Sequence, residues 1–98
     1  MDAIEVENRQ LGFGEQARAE FVIWRVLEPV RGSRHYFKYR LALIVDDVCV
    51  LRYDNEAGKG DHRHVDDREF EYVFSGIEAL RRDFVLDARA WLARHADR

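Results

Sequence analysis

The sequence predicts an α+β fold: a four-stranded antiparallel meander sheet with a C-terminal helix packed on one face. Three observations lead there. Stretches rich in β-branched and aromatic residues follow one another across short polar connections. The C-terminal stretch switches to a helical apolar period. The chain has 98 residues, so one domain with one core layer between a sheet and a helix is what it can build. The composition, 47% hydrophobic and 36% charged, is that of a folded chain and not a disordered one.

The elements follow in order. Residues 1–17 show no clear period, and "LGFGEQ" sets two glycines around Phe13, so a loosely ordered N-terminal arm is expected. A helix over residues 3–17 is the weaker option there. "AEFVIWRVL" (19–27) reads as the first strand, and "EPVRGS" as a loop containing the only proline. "RHYFKYRLALIV" (34–45) and "VCVLRYDN" (48–55) form a hairpin around Asp46 and Asp47. "DREFEYVFS" (67–75) supplies the fourth strand, with Phe70, Tyr72 and Phe74 alternating with polar positions. Ser75 with Glu78 three residues on has capping-box spacing. Ile77, Leu80, Phe84, Ala88 and Trp91 then recur on one helical face, and the helix ends near His95.

A two-residue turn at Asp46 and Asp47 would set Val45 opposite Val48, Leu43 opposite Val50, Leu41 opposite Arg52 and Tyr39 opposite Asp54. Arg52 and Asp54 would then lie at the edge of the helix-covered face. Lys38 and Arg40 would stand on the open face beside Asn55. A slip of one residue would exchange these assignments.

Charge is uneven along the chain. The net charge is −3, yet residues 18–40 carry a local positive excess from Arg18, Arg25, Arg31, Arg34, Lys38 and Arg40. The chain as a whole lacks the basic balance of a general nucleic-acid binder, although a local basic patch remains open to it. A single cysteine, Cys49, excludes an internal disulfide and points to a reducing, cytoplasmic setting. No apolar run reaches the length of a membrane span, and the acidic N-terminus is not a secretory signal. Trp24, Trp91 and Cys49 read as core residues, and His35 and His95 as surface residues.

The stretch "YDNEAGKGDHRH" (53–64) stands apart. "GKG" lacks the spacing of a phosphate-binding P-loop. "DHRH" is more informative, because His62 and His64 share one side of an extended segment. The catalytic candidates are therefore His62, His64 and Asp54, with Lys38, Arg40, Arg52, Asn55, Lys59 and Arg63 as substrate-binding candidates. Two histidines suit general acid–base chemistry, and cations suit a charged phosphate. The same His, His and Asp could instead ligate a divalent metal.

"FKYRLALIVDDVCVLRYDNEAGKGDHRH", followed by an aromatic strand and "IEALRRDFVLDARAWL", resembles the TumE-type toxins of bacterial toxin–antitoxin modules. The resemblance spans about residues 20–95. It implies a small cytosolic toxin restrained by a helix-turn-helix antitoxin, with Arg52, Tyr53, Asp54, Asn55, His62 and His64 as signature positions. Three functional expectations result. The first is a ribonuclease needing no cofactor, acting on RNA through the histidine pair. The second is a metal-dependent nuclease or hydrolase at the same rim. The third is a non-enzymatic interaction module, whose sheet edge also allows a homodimer.

Overall fold

The structure is a computed structural model that describes residues 3–96. It contains one antiparallel sheet with strands in sequence order: β1 (Ala3–Gly12), β2 (Ala17–Val26), β3 (Phe37–Val45), β4 (Val48–Glu56), β5 (Gly60–Val65) and β6 (Arg68–Glu71). One helix, α1 (Ile77–Arg94), follows. The class and the meander agree with expectation, but the sheet has six strands and not four.

The core lies between α1 and one face of the sheet. Ala19, Phe21 and Ile23 alternate inward from β2, and Tyr39, Leu41 and Leu43 do so from β3. Leu51 and Tyr53 add the β4 contribution. From the helix come Leu80, Phe84, Ala88 and Trp91, all buried. Phe84 meets Phe21 and Tyr53 edge-on, at ring-centroid distances of 5.4 and 5.8 Å, an arrangement favoured by the ring quadrupoles.

Residues 3–12 are a strand along the whole length of β2, and neither a loose arm nor a helix. Residues 1–2 of the expected arm lie outside the described residues. β1 was hard to read because it is an edge strand whose side chains are mostly exposed, so no apolar alternation marks it. Backbone pairing and one polar tie hold it. Glu7 accepts from Arg81 Nε of α1 at 2.7 Å and also pairs with Arg9, which lies 4.3 Å above the Phe21 ring. Burial pushes the Glu7 carboxyl up, but hydrogen bonds from Arg9 and Arg81 outweigh it and hold it below the usual range.

The β3–β4 hairpin turns at Asp46 and Asp47, both at positive φ, 52° and 66°. This is the handedness that two-residue hairpins require. Asp47→Gly should therefore raise stability by about 0.5–1 kcal/mol, read as a higher urea midpoint at unchanged slope. The register begins as expected with Val45 opposite Val48 and then shifts. Leu43 faces Leu51, Ala42 faces Arg52, Leu41 faces Tyr53 and Arg40 faces Asp54. Val50 is the extra residue of a β-bulge. The bulge turns Leu51 and Tyr53 toward the helix and carries Arg52 and Asp54 to the open face, opposite to the expected assignment.

Two further corrections concern the C-terminal half. The paired part of the last strand is only Arg68–Glu71, not residues 67–75. Ser75 does not cap α1: Gly76 occupies the N-cap position, and no side chain supplies a cap hydrogen bond. The helix does end at His95, whose backbone N–H reaches the carbonyls of Trp91 and Leu92.

Candidate active site

The two faces of β5 do different work. Asp61 and Arg63 point toward the helix side. Arg63 Nε donates to Asp87 Oδ2 of α1 at 2.6 Å, and its guanidinium lies 4.9 Å from the Phe70 ring. Asp61 accepts from Ser33 Oγ (2.6 Å), Tyr39 OH (2.6 Å) and His35 Nε2 (2.8 Å). Burial holds the Tyr39 phenol far above its usual range, and the bond to Asp61 adds to this, so it stays a donor. His35 also stacks on Phe74, with centroids 3.7 Å apart. It is a tie between the 27–36 connection and the sheet, and not a loose surface residue.

Asn55 belongs to the same helix-side network. It is 1% exposed, its Oδ1 accepts from the Tyr39 N–H at 3.0 Å, and its Nδ2 donates to Phe37 O and Ser33 Oγ. Asn55 and Arg63 are thus structural, while the other expected site residues sit elsewhere.

The open face gathers the remainder. One cross-strand row runs Val22, Arg40, Asp54, His62 and Glu71; the adjacent row runs Glu20, Ala42, Arg52, His64 and Glu69. Directly opposed residues share a face. His62 and His64 therefore stand beside Asp54 and Arg52, and the bulge at Val50 is what makes this possible. Lys38 and Arg40 lie on the same face, one strand farther on.

The distances define a notch. Arg52 Nε donates to Asp54 Oδ2 at 3.1 Å. His64 Nε2 lies 3.8 Å from Asp54 Oδ1 and 3.7 Å from Glu69 Oε2. His62 Nε2 is also 3.7 Å from Glu69 Oε2, and Lys59 Nζ is 2.9 Å from that same oxygen. The two Nε2 atoms are thus no more than twice 3.7 Å apart. His62 Nδ1 is 3.2 Å from the Gly60 carbonyl. Donation to that carbonyl leaves Nε2 facing the notch.

Electrostatics separate the groups. Burial lowers the His64 pKa, and the Arg52 guanidinium lowers it further, against Asp54 and Glu69 pulling it up. His64 is therefore a neutral imidazole at pH 7. The hydrogen bond from Lys59 holds the Glu69 carboxyl below the usual range. A neutral imidazole can accept a proton, and the cations can hold an anion. Among the described residues, no three His, Cys, Asp or Glu side chains are grouped to hold a metal ion.

Glu69 is the functional candidate that reading the sequence missed. A signal for it existed. "VDDR" at 65–68 repeats the pattern of "VDDV" at 45–48, and Asp66 likewise takes positive φ, 55°. A hairpin there puts Glu69 opposite His64.

The "GKG" segment shapes the notch from behind. Gly60 and Gly32 touch backbone to backbone, both at positive φ. A Cβ on either would come within 2.7 Å of the other's main chain. The Gly58 N–H also donates to Arg31 O at 2.7 Å. The 27–36 connection is thereby clipped to the β4–β5 turn, fixing where β5 and its histidines begin.

Comparison with known proteins adds identity to this geometry. The family model described as Toxin TumE matches residues 4–92, nearly the whole chain. No curated protein and no solved structure matches. Among the described residues, no helix is long and apolar enough to cross a membrane. With the family model covering the sheet, the notch and most of the helix, the chain belongs to the TumE toxin family.

Proposed function

We propose that this toxin is a metal-independent ribonuclease whose acid–base pair is His64 and His62. One observation carries the reading. Lys59 Nζ, His62 Nε2 and His64 Nε2 converge on a single carboxylate oxygen, Oε2 of Glu69. Donors aimed at one anionic oxygen are what a phosphoryl group needs. The spacing of the two imidazoles also suits a phosphoryl group held between two hydrogen bonds of about 2.8 Å. Glu69 lies on the last strand with its side chain partly exposed, so it can yield to a substrate phosphate.

The proposed step is transesterification. Neutral His64 takes the proton of the ribose 2′-OH, and that oxygen attacks the adjacent phosphorus. The P–O5′ bond breaks, and protonated His62 gives its proton to the leaving 5′-oxygen. The products are a 2′,3′-cyclic phosphate and a free 5′-hydroxyl. Lys59 and Arg52 stabilise the charge that develops on the phosphoryl oxygens. Asp54 positions Arg52 and lies beside His64. In the cell, a helix-turn-helix antitoxin in the cytoplasm restrains the toxin. The exposed edge of β1, with Ile4 and Val6 uncovered, is its docking strand, and a second toxin copy competes for it.

The test is direct. Purified toxin, freed of antitoxin and kept in chelator, should cleave single-stranded RNA and leave 2′,3′-cyclic ends. RNA methylated on its 2′-oxygens should resist. Loss of cleavage on chelation, restored by added metal, would instead select the metal-dependent reading.

The pH profile gives a second check. As pH falls, kcat/KM should drop only below about 6.5, the ordinary histidine value, because the His64 pKa is lowered. Arg52→Gln removes one cause of that lowering and leaves burial and Lys59 in place. The acidic limb should then move upward toward 6.5, alongside a fall in maximal rate. A limb that stays in place in Arg52→Gln would deny His64 the role of base.

A further inference from the structure

The open face extends beyond the notch, and its far end carries a tryptophan. Trp24 of β2 faces Lys38 of β3, and Val22 faces Arg40. Phe21 and Ile23 on either side turn into the core, so Trp24 points to the open face, where it is only part-buried. Val22, Trp24, Lys38, Tyr39 and Arg40 line a cavity of about 190 Å³. An aromatic side chain half-open in a shallow cavity between two cations is the composition of a base-stacking subsite.

The charges favour a polyanion. Lys38 is exposed, and its ammonium meets a backbone carbonyl, Asn55 O, at 3.5 Å. Arg18 and Arg40 share a single carboxylate, Glu20, at 3.0 and 3.1 Å. Counting Arg52 and Asp54 beside Arg40, and Glu5 directly opposite Trp24, four cations meet three carboxylates on this face, a small positive excess in a chain whose net charge is −3.

The spacing links this region to the notch. β2 and β5 are three strand intervals apart, which with the offset between rows sets Trp24 about 16 Å from the His62 position and about 20 Å from the His64 position. That distance corresponds to roughly two to three nucleotides of an extended strand.

We propose that Trp24 stacks a base of single-stranded RNA lying across β2–β5, with Lys38 and Arg40 on the intervening phosphates. The inference rests on reading the His62–His64 notch as the ribonuclease centre. It adds where the strand runs and makes stacking, not base-edge hydrogen bonding, the mode of recognition. Sequence preference is accordingly weak, and affinity falls steeply with salt.

The experiment is a fluorescence titration with a short RNA methylated on every 2′-oxygen, which binds without being cleaved. Emission of the wild-type protein should be quenched on binding. Trp24→Phe should bind nearly as well but lose the quenching, which assigns the signal to Trp24 and not to Trp91. Trp24→Leu should weaken binding roughly tenfold, and Lys38→Ala should lower the salt slope by about one unit. Failure of the ribonuclease reading would show as quenching without cleavage of unmodified RNA. Failure of this inference would show as cleavage with constant emission and with Trp24→Leu binding as tightly as wild type. Emission that moves only when antitoxin is added would also overturn it and assign the face to protein.

Discussion

His64→Ala should lower RNA cleavage by about 10²–10⁴-fold, the range expected for losing a general base. It should leave the urea midpoint nearly unchanged. The His64 ring stands on the open face of the sheet and takes no part in the core. It makes no hydrogen bond that holds two elements together; its nearest partners are carboxylate oxygens at 3.7 and 3.8 Å. Activity and stability should therefore separate. His62→Ala should show a loss of the same order, because His62 is the acid of the proposed step. The double variant should be scarcely worse than either single one, since an acid and a base serving one concerted step are not additive.

The second large effect is on the fold. Gly60→Ala should destabilise the protein by about 3 kcal/mol, combining left-handed backbone strain with overpacking. The new Cβ would lie 2.7 Å from Gly32 O, and backbone cannot rotate aside as a side chain can. Gly14→Ala is the matched control. Gly14 has nearly the same φ, +81° against +80°, but nothing lies within 4 Å of its Cβ position. Its cost should be confined to the strain, about 1–2 kcal/mol. Urea denaturation of both variants reads the difference directly. Equal midpoints would mean that the Gly32–Gly60 contact is not a clip. Because His62 Nδ1 is also tied to the Gly60 carbonyl, Gly60→Ala should cost activity at temperatures where it is still folded.

The parts of the fold that were legible were those whose burial writes a pattern. Phe21 and Ile23, Leu41 and Leu43, and the Leu80–Phe84–Ala88–Trp91 stripe each alternate at the period of their element. β1 wrote no such pattern, because an edge strand with exposed faces can take almost any polar residue. The bulge was invisible for a related reason. Val50 and Leu51 are both apolar and both buried, so "VCVLRYDN" permits either phase of alternation. Only the ladder decides between them, and it moves Arg52 and Asp54 across the sheet.

The histidine pair was legible because His62 and His64 are two residues apart, which fixes their shared side in any strand. Their company was only partly so. Asp54, Arg52, Lys59, Lys38 and Arg40 share the open face or its rim, whereas Asn55 and Arg63 were claimed by networks with Tyr39 and Asp87. Those networks join residues 16 and 24 positions apart, a separation at which sequence spacing carries no information. Trp24 reads as core in the sequence but is only part-buried in the structure. Its place in the alternation with Phe21 and Ile23 is the feature that turns it outward.

The central claim is that the convergence of His62, His64 and Lys59 on one anionic point is the toxic centre. The most direct measurement is toxicity in antitoxin-free cells of the His62→Ala/His64→Ala double variant, scored together with cellular RNA integrity. The account predicts normal growth and intact RNA from a protein that accumulates, folds and still binds its antitoxin. Growth arrest with fragmented RNA from that same variant would contradict it.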